Sequence, residues 1–402
     1  MSKINKSTYK FKPFVFSQNE PASKEKPRAR SGHRIVCDDK YLYSYGGYNP
    51  CIRDDDPELS NDEIWRESKP LFKELWRFNL TTRRWKLLPG RKSLPKELAS
   101  TAVILRSNKL IIYGGTAEPF GESCNNRLYV CDLNDGSIIE PHVTGTLPDP
   151  QYGQALICHN SYLYTIGGTT GYDYTCDIHR IDLRTGLWES VYICTGRDPV
   201  EPGGRYRHEL AYDGKLIYVL GGGTSSECFG FTEIPAFDLE KNCWLRLQTY
   251  GDLNNNPWIP HARRCHGCVQ YVDQITGDIN VVISGGYTGP QVFNDVWRLN
   301  LRRLQWTCLK RFGTELPRPV YFHSAALTPA GQMYIFGGIV QNGSRGLRTQ
   351  HVRSVWLVVP KLTEICWEAV NYYFKNLRTK SKDELTNLGI PLKFIQRLDI
   401  ID

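Results

Sequence analysis

The sequence predicts an all-β chain of six repeated four-stranded units closed into a ring, followed by a short helical tail. Three observations predict this. Six apolar, strand-like segments end in a glycine pair, at Gly46-Gly47, Gly114-Gly115, Gly167-Gly168, Gly221-Gly222, Gly285-Gly286 and Gly337-Gly338. A tryptophan in a polar-flanked strand follows several pairs at about 20 residues, as Trp188, Trp244 and Trp306. The composition favours strands, with 23 Tyr and 10 Trp but 2 Met.

The glycine pairs are spaced by 68, 53, 54, 64 and 52 residues. Trp85 follows its pair at a greater distance because residues 50–70 are inserted. The second repeat has no such Trp, and Ile138 or Ile139 stands near its place. Between glycines and Trp runs a strand of the type Leu-Trp-Arg-Phe-Asn-Leu (75–80) or Val-Trp-Arg-Leu-Asn-Leu (296–301). Six copies at this period resemble kelch repeats, whose family folds as a β-propeller. The resemblance implies a six-bladed kelch β-propeller over residues 30–360. In it the glycines let a strand end beside the central channel where a Cβ would clash, and the Trp fills the seam between blades.

A ring must close, or its first and last blades expose raw edges. The sixth repeat supplies strands near 321–328, 332–337 and 352–359, and a fourth is missing. Residues 1–29 form a basic arm, and its alternating patch Tyr9–Phe16 is the expected closing strand.

The chain has 402 residues, 41% hydrophobic and 23% charged, as suits a globular protein. No apolar run approaches the ~20 residues that span a bilayer, and the N-terminus lacks a signal-peptide core. Thirteen cysteines scattered through strand-like segments suggest free thiols in a reducing compartment, cytoplasmic or nuclear. The net charge of +8 comes from dispersed Lys and Arg without a nucleic-acid-binding motif, so an acidic peptide or a free carboxylate suits it better than nucleic acid. His33, His208, His266 and His323 precede glycine pairs at a repeat position and read as structural. Cys265-x-x-Cys268 has no second ligand pair, so neither metal nor cofactor is expected. Asp54-Asp-Asp56 reads as a solvated loop in the first insertion. No convergent nucleophile, base or redox cluster points to an enzyme.

Residues 361–402 are helical. Leu362, Ile365, Cys366, Ala369, Val370 and Tyr373 share one helix face. Ser381-x-x-Glu384 is a capping box, Gly389 a stop, and Pro391 suits the start of another helix. The alternative makes Trp367 the sixth repeat Trp in a strand. Trp356 and Trp367 are 11 residues apart against 9 for Trp297 and Trp306, which speaks for the helix. The tail resembles the Elongin-binding box and the cullin-2 box of cullin-2 substrate receptors. Leu362, Cys366 and Val370 match the first, in which a long aliphatic fills a partner pocket and a small residue allows close approach. Ile390, Pro391, Phe394 and Leu398 match the second.

Propeller and tail together resemble kelch-domain receptors that read C-terminal degrons. That resemblance implies Elongin B/C, cullin-2 and a RING-box protein as partners, and substrate C-terminal ends, finishing in Gly or Ala, as ligands. Such a pocket holds the terminal carboxylate by Arg forks, with aromatic walls. The loops at one propeller face offer Arg207 and Arg264, then Arg205 and Arg263, and the aromatics Tyr48, Tyr206, Tyr287 and Tyr321. Arg205 and Arg263 stand three residues before a repeat His, where a framework role competes with a ligand role. Family members carry an Arg pair after the fourth Gly-Gly; this chain has Gly-Thr-Ser-Ser-Glu-Cys there, so its pocket residues differ. The competing function is a kelch scaffold for a cytoskeletal or signalling protein, with the tail as packing.

Overall fold

A computed structural model of the chain describes residues 8–342 and 345–400. Residues 1–7 of the expected arm and 401–402 of the tail lie outside the described residues. Six antiparallel sheets form the blades of a propeller. Blade 1 holds Arg34–Cys37, Tyr41–Tyr45, Leu75–Asn79 and Trp85–Leu87. Blade 2 holds Ala102–Arg106, Lys109–Tyr113, Leu128–Asp132 and Ile138–Ile139. Blade 3 is Ala155–His159, Tyr162–Thr169, Tyr174–Asp182 and Leu187–Tyr192. Blade 4 is Glu209–Tyr212, Leu216–Leu220, Glu233–Asp238 and Cys243–Gln248. Blade 5 is Gly267–Val272, Ile279–Ser284, Val296–Asn300 and Gln305–Cys308. Blade 6 has Ser324–Leu327, Gln332–Phe336 and Val352–Trp356, and takes its outer strand from Ser17–Gln18.

The first strands of successive blades are neighbours, and that of blade 6 meets that of blade 1. The ring is therefore closed around a channel. The tryptophans fill the seams. Trp85 lies 5.2 Å from Phe336 of blade 6, Trp188 5.2 Å from Tyr113 of blade 2, and Trp306 5.4 Å from Phe231 of blade 4, between ring centroids. Each outer-strand Trp thus packs against the preceding blade, where a large flat side chain buries the most apolar area.

The glycine pairs join blade to blade. The second glycine of every pair, Gly47, Gly115, Gly168, Gly222, Gly286 and Gly338, donates its N–H to a carbonyl at the start of the next blade: Leu98, Gln151, Arg205, Arg263, Val320 and Arg30, at 2.8–3.0 Å. Both glycines have positive φ. A Cβ on Gly337 would sit 2.8 Å from the Arg30 carbonyl. The His33 ring of the same neighbouring blade lies closer still, so the obstacle to a side chain is that blade's backbone together with its buried histidine.

The closing strand is a correction to expectation. Ser17 and Gln18 pair with Ser354 and Arg353, just beyond the Tyr9–Phe16 patch. Phe14 adopts φ 64°, which no strand continues. Its N–H donates to Trp356 O at 3.1 Å and its carbonyl accepts from Thr314 Oγ1 at 2.6 Å, while Phe16 packs into the core between blades 5 and 6. Other blade edges are covered too. Thr144–Gly145 runs parallel to the outer strand of blade 3, and Tyr250 bridges to Gln305 of blade 5.

The insertion in blade 1 carries helix α1 (Glu63–Ser68), capped by Asp62. Asp54 and Asp55 of this insertion are exposed and pair with Lys69 and Arg53. The tail folds as α2 (Leu362–Tyr373), α3 (Lys382–Asn387) with the Ser381/Glu384 capping box, and α4 (Leu392–Ile395). Trp367 lies in α2, so the strand alternative is set aside. The tail has its own core of Trp367, Leu377, Leu385, Phe394, Ile395 and Leu398. It docks on the turns at the end of blade 1 remote from the glycine pairs. Asn79 Nδ2 donates to Arg397 O at 2.9 Å, Tyr41 OH to Asp399 at 2.7 Å, and Trp367 Nε1 to Thr81 Oγ1 at 3.4 Å. The arm pins α2 from the other side, where Tyr9 OH and Trp356 Nε1 both donate to Glu368, at 2.6 and 2.9 Å.

Candidate functional site at the channel mouth

A second backbone ring surrounds the mouth of the channel. One residue per blade, Gly32, Ser100, Gly153, Arg207, Cys265 and Phe322, has φ between 55° and 69°. Each donates its N–H to the carbonyl of the ring residue one blade back, at 2.7–3.4 Å, and Gly32 closes the circle by donating to Phe322. Six coupled bonds make the mouth stiff, so side chains mounted on it are held in place before any ligand arrives.

Arg207 sits on this ring. Its guanidinium contacts the Ser100 hydroxyl of blade 2 and lies over the Phe322 ring of blade 6 at 4.6 Å. It thereby spans the mouth. Its Nε is buried without a partner. Beneath it Arg34 of blade 1 pairs with Glu209 of blade 4 at 2.7 Å.

The residue before each ring position forms a bridge to the segment after its glycine pair: Ser31 to Tyr48, Tyr206 to Gly223, Arg264 to Tyr287. Tyr321 pairs likewise with Ile339. This places Arg264, 9% exposed, between the rings of Tyr206 at 5.8 Å and Tyr287 at 5.1 Å. Its Nε and one terminal nitrogen are buried without partners. Tyr287 continues to Tyr321, 4.4 Å away, and Tyr206 to Tyr174 and Tyr152 at 5.4 and 6.1 Å. Across the face Tyr48 packs against Phe120 at 4.9 Å and lies under Arg348 at 4.8 Å. Burial raises the phenol pKa of Tyr48, Tyr206, Tyr287 and Tyr321. They stay neutral at physiological pH and can donate to an anion. Among the described residues Arg207, Arg264 and Arg348 make no ion pair.

Arg348 was not singled out from the sequence. It lies on Arg345–Arg348, which pairs with Ile339–Asn342 after the sixth glycine pair, and its Nε donates to Ser31 Oγ at 2.9 Å. The signal was available, since this segment belongs to the same loop class as Tyr48 and Tyr287.

Arg205 and Arg263 are placed differently. Both are buried, at 3% and 0% exposed. Arg205 donates to Gly203 O and Gly221 O and stacks on Phe229 at 3.8 Å. Arg263 repeats this with His261 O, Gly285 O and Phe293, and pairs with Asp295. Arg30 does the same with Arg28 O, Gly46 O and Phe72. Three copies of one geometry mark a framework arginine that fastens the glycine pair of its own blade.

The four histidines follow ring residues and touch glycine pairs. His208 Cβ faces Gly222, and its ring faces Gly167 of the preceding blade. Burial lowers all four pKa values, to about 3 for His208 and about 4 for His323. All thirteen cysteines are free thiols. Among the described residues no His, Cys, Asp or Glu group could hold a metal ion, and no helix is long and apolar enough to cross a membrane.

On the remote face α2 turns an apolar edge outward. Leu362 is 72% exposed, Cys366 is exposed, and Val370 is half-buried. The helix faces the body with Trp367 and Glu368, while Glu364 turns to Arg397 of the tail at 2.6 Å, so its more polar side is the inner one. Of the second box, Pro391 is exposed and Ile390 half-buried, while Phe394 and Leu398 belong to the tail's own core. Phe394 stacks on Trp367 at 5.0 Å.

Residues 64–277 match the KLHDC2/KLHL20/DRC7 Kelch-repeats domain family. The chain is 44% identical over 388 residues to the kelch domain-containing protein 10 homolog of Drosophila melanogaster, covering 92% of this chain and 62% of that protein. It is 43% identical over 375 residues to kelch domain-containing protein 10 of Xenopus tropicalis, covering 92% and 86%. For the Homo sapiens protein of that name the figures are 42% over 372 residues, 92% and 80%. The chain thus spans less than two thirds of the fly relative and most of the vertebrate ones. With the glycine-pair ring, the seam tryptophans and these likenesses together, the chain belongs to the kelch-repeat propeller family, among the relatives of kelch domain-containing protein 10.

Proposed function

We propose that the chain is a non-catalytic substrate-recognition subunit of a cullin-2/Elongin B/C ubiquitin ligase. The observation that carries this reading is the opposition of two surfaces. The glycine-pair face offers Arg207, Arg264 and Arg348 among tyrosines, and the remote face presents the outward edge of α2 at Leu362 and Cys366. A peptide's terminal carboxylate would pair with the guanidinium charges of Arg207 and Arg264, which make no ion pair among the described residues. The tyrosines would wall the residues before it. Leu362 and Cys366 would meet Elongin, and cullin-2 would bring the RING-box protein. Ile390 and Pro391 would touch cullin-2, with Phe394 and Leu398 anchoring α4 in the tail's core. The chain would work in the cytoplasm or nucleus by proximity, holding a degron near transfer chemistry that belongs to other subunits.

Two experiments test the two surfaces separately. The wild type should co-purify with Elongin B/C and cullin-2, and Leu362→Ala/Cys366→Arg should abolish this. Arg207→Ala/Arg264→Ala should stop degradation of a C-terminal-degron reporter while Elongin binding persists. The second reading, a kelch scaffold with a packing tail, is favoured by the burial of Phe394 and Leu398 within the tail. Failure of the wild type to bind Elongin would select it.

A further inference from the structure

Where the tail meets blade 1, on the side remote from the channel mouth, the two bodies leave a groove of about 710 Å³. Its walls come from separate parts of the chain. Lys40 stands on the first turn of blade 1, Arg77 on its third strand, and Arg84 and Lys86 beside and on its outer strand. Arg378 and Lys382 face them from the tail. Six cations line the groove against a single carboxylate, Asp399. That carboxylate is already engaged by Lys40 at 3.4 Å and by Tyr41 OH at 2.7 Å. Among the described residues Arg77, Arg84, Lys86, Arg378 and Lys382 make no ion pair.

Like charges gathered in a concave wall repel one another and raise the local potential, which makes the groove a sink for a multivalent anion. Arg77 points the same way. Its guanidinium is stacked over the Tyr41 ring at 4.6 Å, and its Nε is buried without a hydrogen-bond partner. A fold that only needed solubility would have left these charges on convex surface. Trp85, Leu392, Ile395, Leu398 and Ile400 give the groove an apolar floor, and the cations stand around it.

We infer that this groove binds a compact polyphosphate anion. Arg forks and Lys ammoniums together match clustered phosphate oxygens better than they match spaced carboxylates on a peptide. The ligand would touch blade 1 and the tail at once. It would therefore tie the two together and hold α2 in a fixed direction. The inference does not rest on the ligase reading: the groove lies away from the channel mouth, excludes Leu362 and Cys366, and shares only the buried Leu398 with the second box.

The test titrates inorganic tripolyphosphate into the full chain by calorimetry at constant ionic strength. The expected result is saturable one-to-one binding, weakened about tenfold or more in Lys86→Ala/Arg378→Ala/Lys382→Ala. A control variant, Lys92→Ala/Lys241→Ala/Arg303→Ala, removes the same charge from exposed sites elsewhere and should bind like wild type. Lys382→Glu alone, a change at an exposed side chain, gives a second variant should the triple one fail to fold. A phosphoserine-rich peptide binding in competition with tripolyphosphate would identify the source as a phosphorylated segment with the same site. No saturable binding, equal loss in both triple variants, or binding of a Glu-rich peptide in place of tripolyphosphate would overturn the inference.

Discussion

Arg34 of blade 1 and Glu209 of blade 4 meet at 2.7 Å across the channel, from strands on opposite sides of the ring. Each is less than one-fifth exposed. The pair lies one layer below Arg207 and closes the channel under the candidate site. Arg34→Ala should leave Glu209 partly buried with Arg207 as its remaining cationic neighbour. We expect a loss of about 1–3 kcal/mol, between the values for exposed and buried pairs, and a smaller loss for Glu209→Gln. Denaturant titration measures both, and equal stability of all three proteins would deny the pair any closing role.

Arg205 and Arg264 are neighbours in the repeat grammar and differ in use. Arg205→Ala removes two buried hydrogen bonds and a stacked cation. It should cost about 2–4 kcal/mol. Arg264→Ala removes a guanidinium with orphaned nitrogens, so stability should change by less than about 1 kcal/mol while binding of a C-terminal peptide falls. Melting curves beside peptide titrations separate the two. A large stability loss at Arg264 would make it a framework residue as well.

The histidines predict a pH dependence. An unfolded imidazole takes its proton near pH 6.5. In the folded chain burial, with the Arg205 charge added, holds His208 down to about 3. Between these values the unfolded state binds more protons, so the stability contributed above pH 6.5 is lost as pH falls, at up to about 1.4 kcal/mol per unit. Blade 3 uses Gln154 at this repeat position, donating to Tyr113 O at 3.2 Å. His208→Gln should therefore fold, and its midpoint should fall less between pH 7 and pH 4.5 than that of wild type. Parallel pH profiles would count against burial as the cause.

Deleting residues 1–20 removes the outer strand of blade 6, the Phe16 side chain and the Tyr9 contact with α2. A loss of about 3 kcal/mol is expected, with concentration-dependent association through the bared edge. An unchanged melting temperature would show that the ring holds without the arm.

In the tail, Trp367→Ala should open the small core that stacks Trp367 on Phe394, at about 3–5 kcal/mol of local stability. Hydrogen exchange in residues 377–398 reports this while the propeller's exchange stays slow. Leu362→Ala, at an exposed position, should alter stability by no more than about 0.5 kcal/mol. If it destabilises the tail as Trp367→Ala does, α2 is a packing element.

Much of this was legible before the fold was known. Glycine pairs and seam tryptophans recur because every blade solves the same local problem. A repeated constraint leaves a repeated residue, so blade number, the four-stranded unit and the helical tail could be read from spacing. Arg205 and Arg263 carried the same signature, and Arg30 completes it. The candidate site was legible only in part. Arg264, Tyr206, Tyr287 and Tyr321 lie far apart in the chain, and nothing in their spacing says that one guanidinium stands between two rings. Arg348 escaped notice because it occurs once, in a loop that only ring closure brings beside Tyr48 and Ser31. The closing strand shifted because a single residue, Phe14, turned the backbone out of register, which alternation alone does not reveal. The inward side of α2 went to Trp367 and two glutamates because blade 1, blade 6, the arm and Arg397 of the tail offered hydrogen bonds there. Periodicity identifies an apolar face, and only the surfaces around a helix decide which face is covered. Local chemistry repeated along the chain therefore determined the architecture. The convergence of unrepeated side chains at the mouth and in the tail groove was decided by tertiary structure, since contacts between distant residues depend on where the ring brings them.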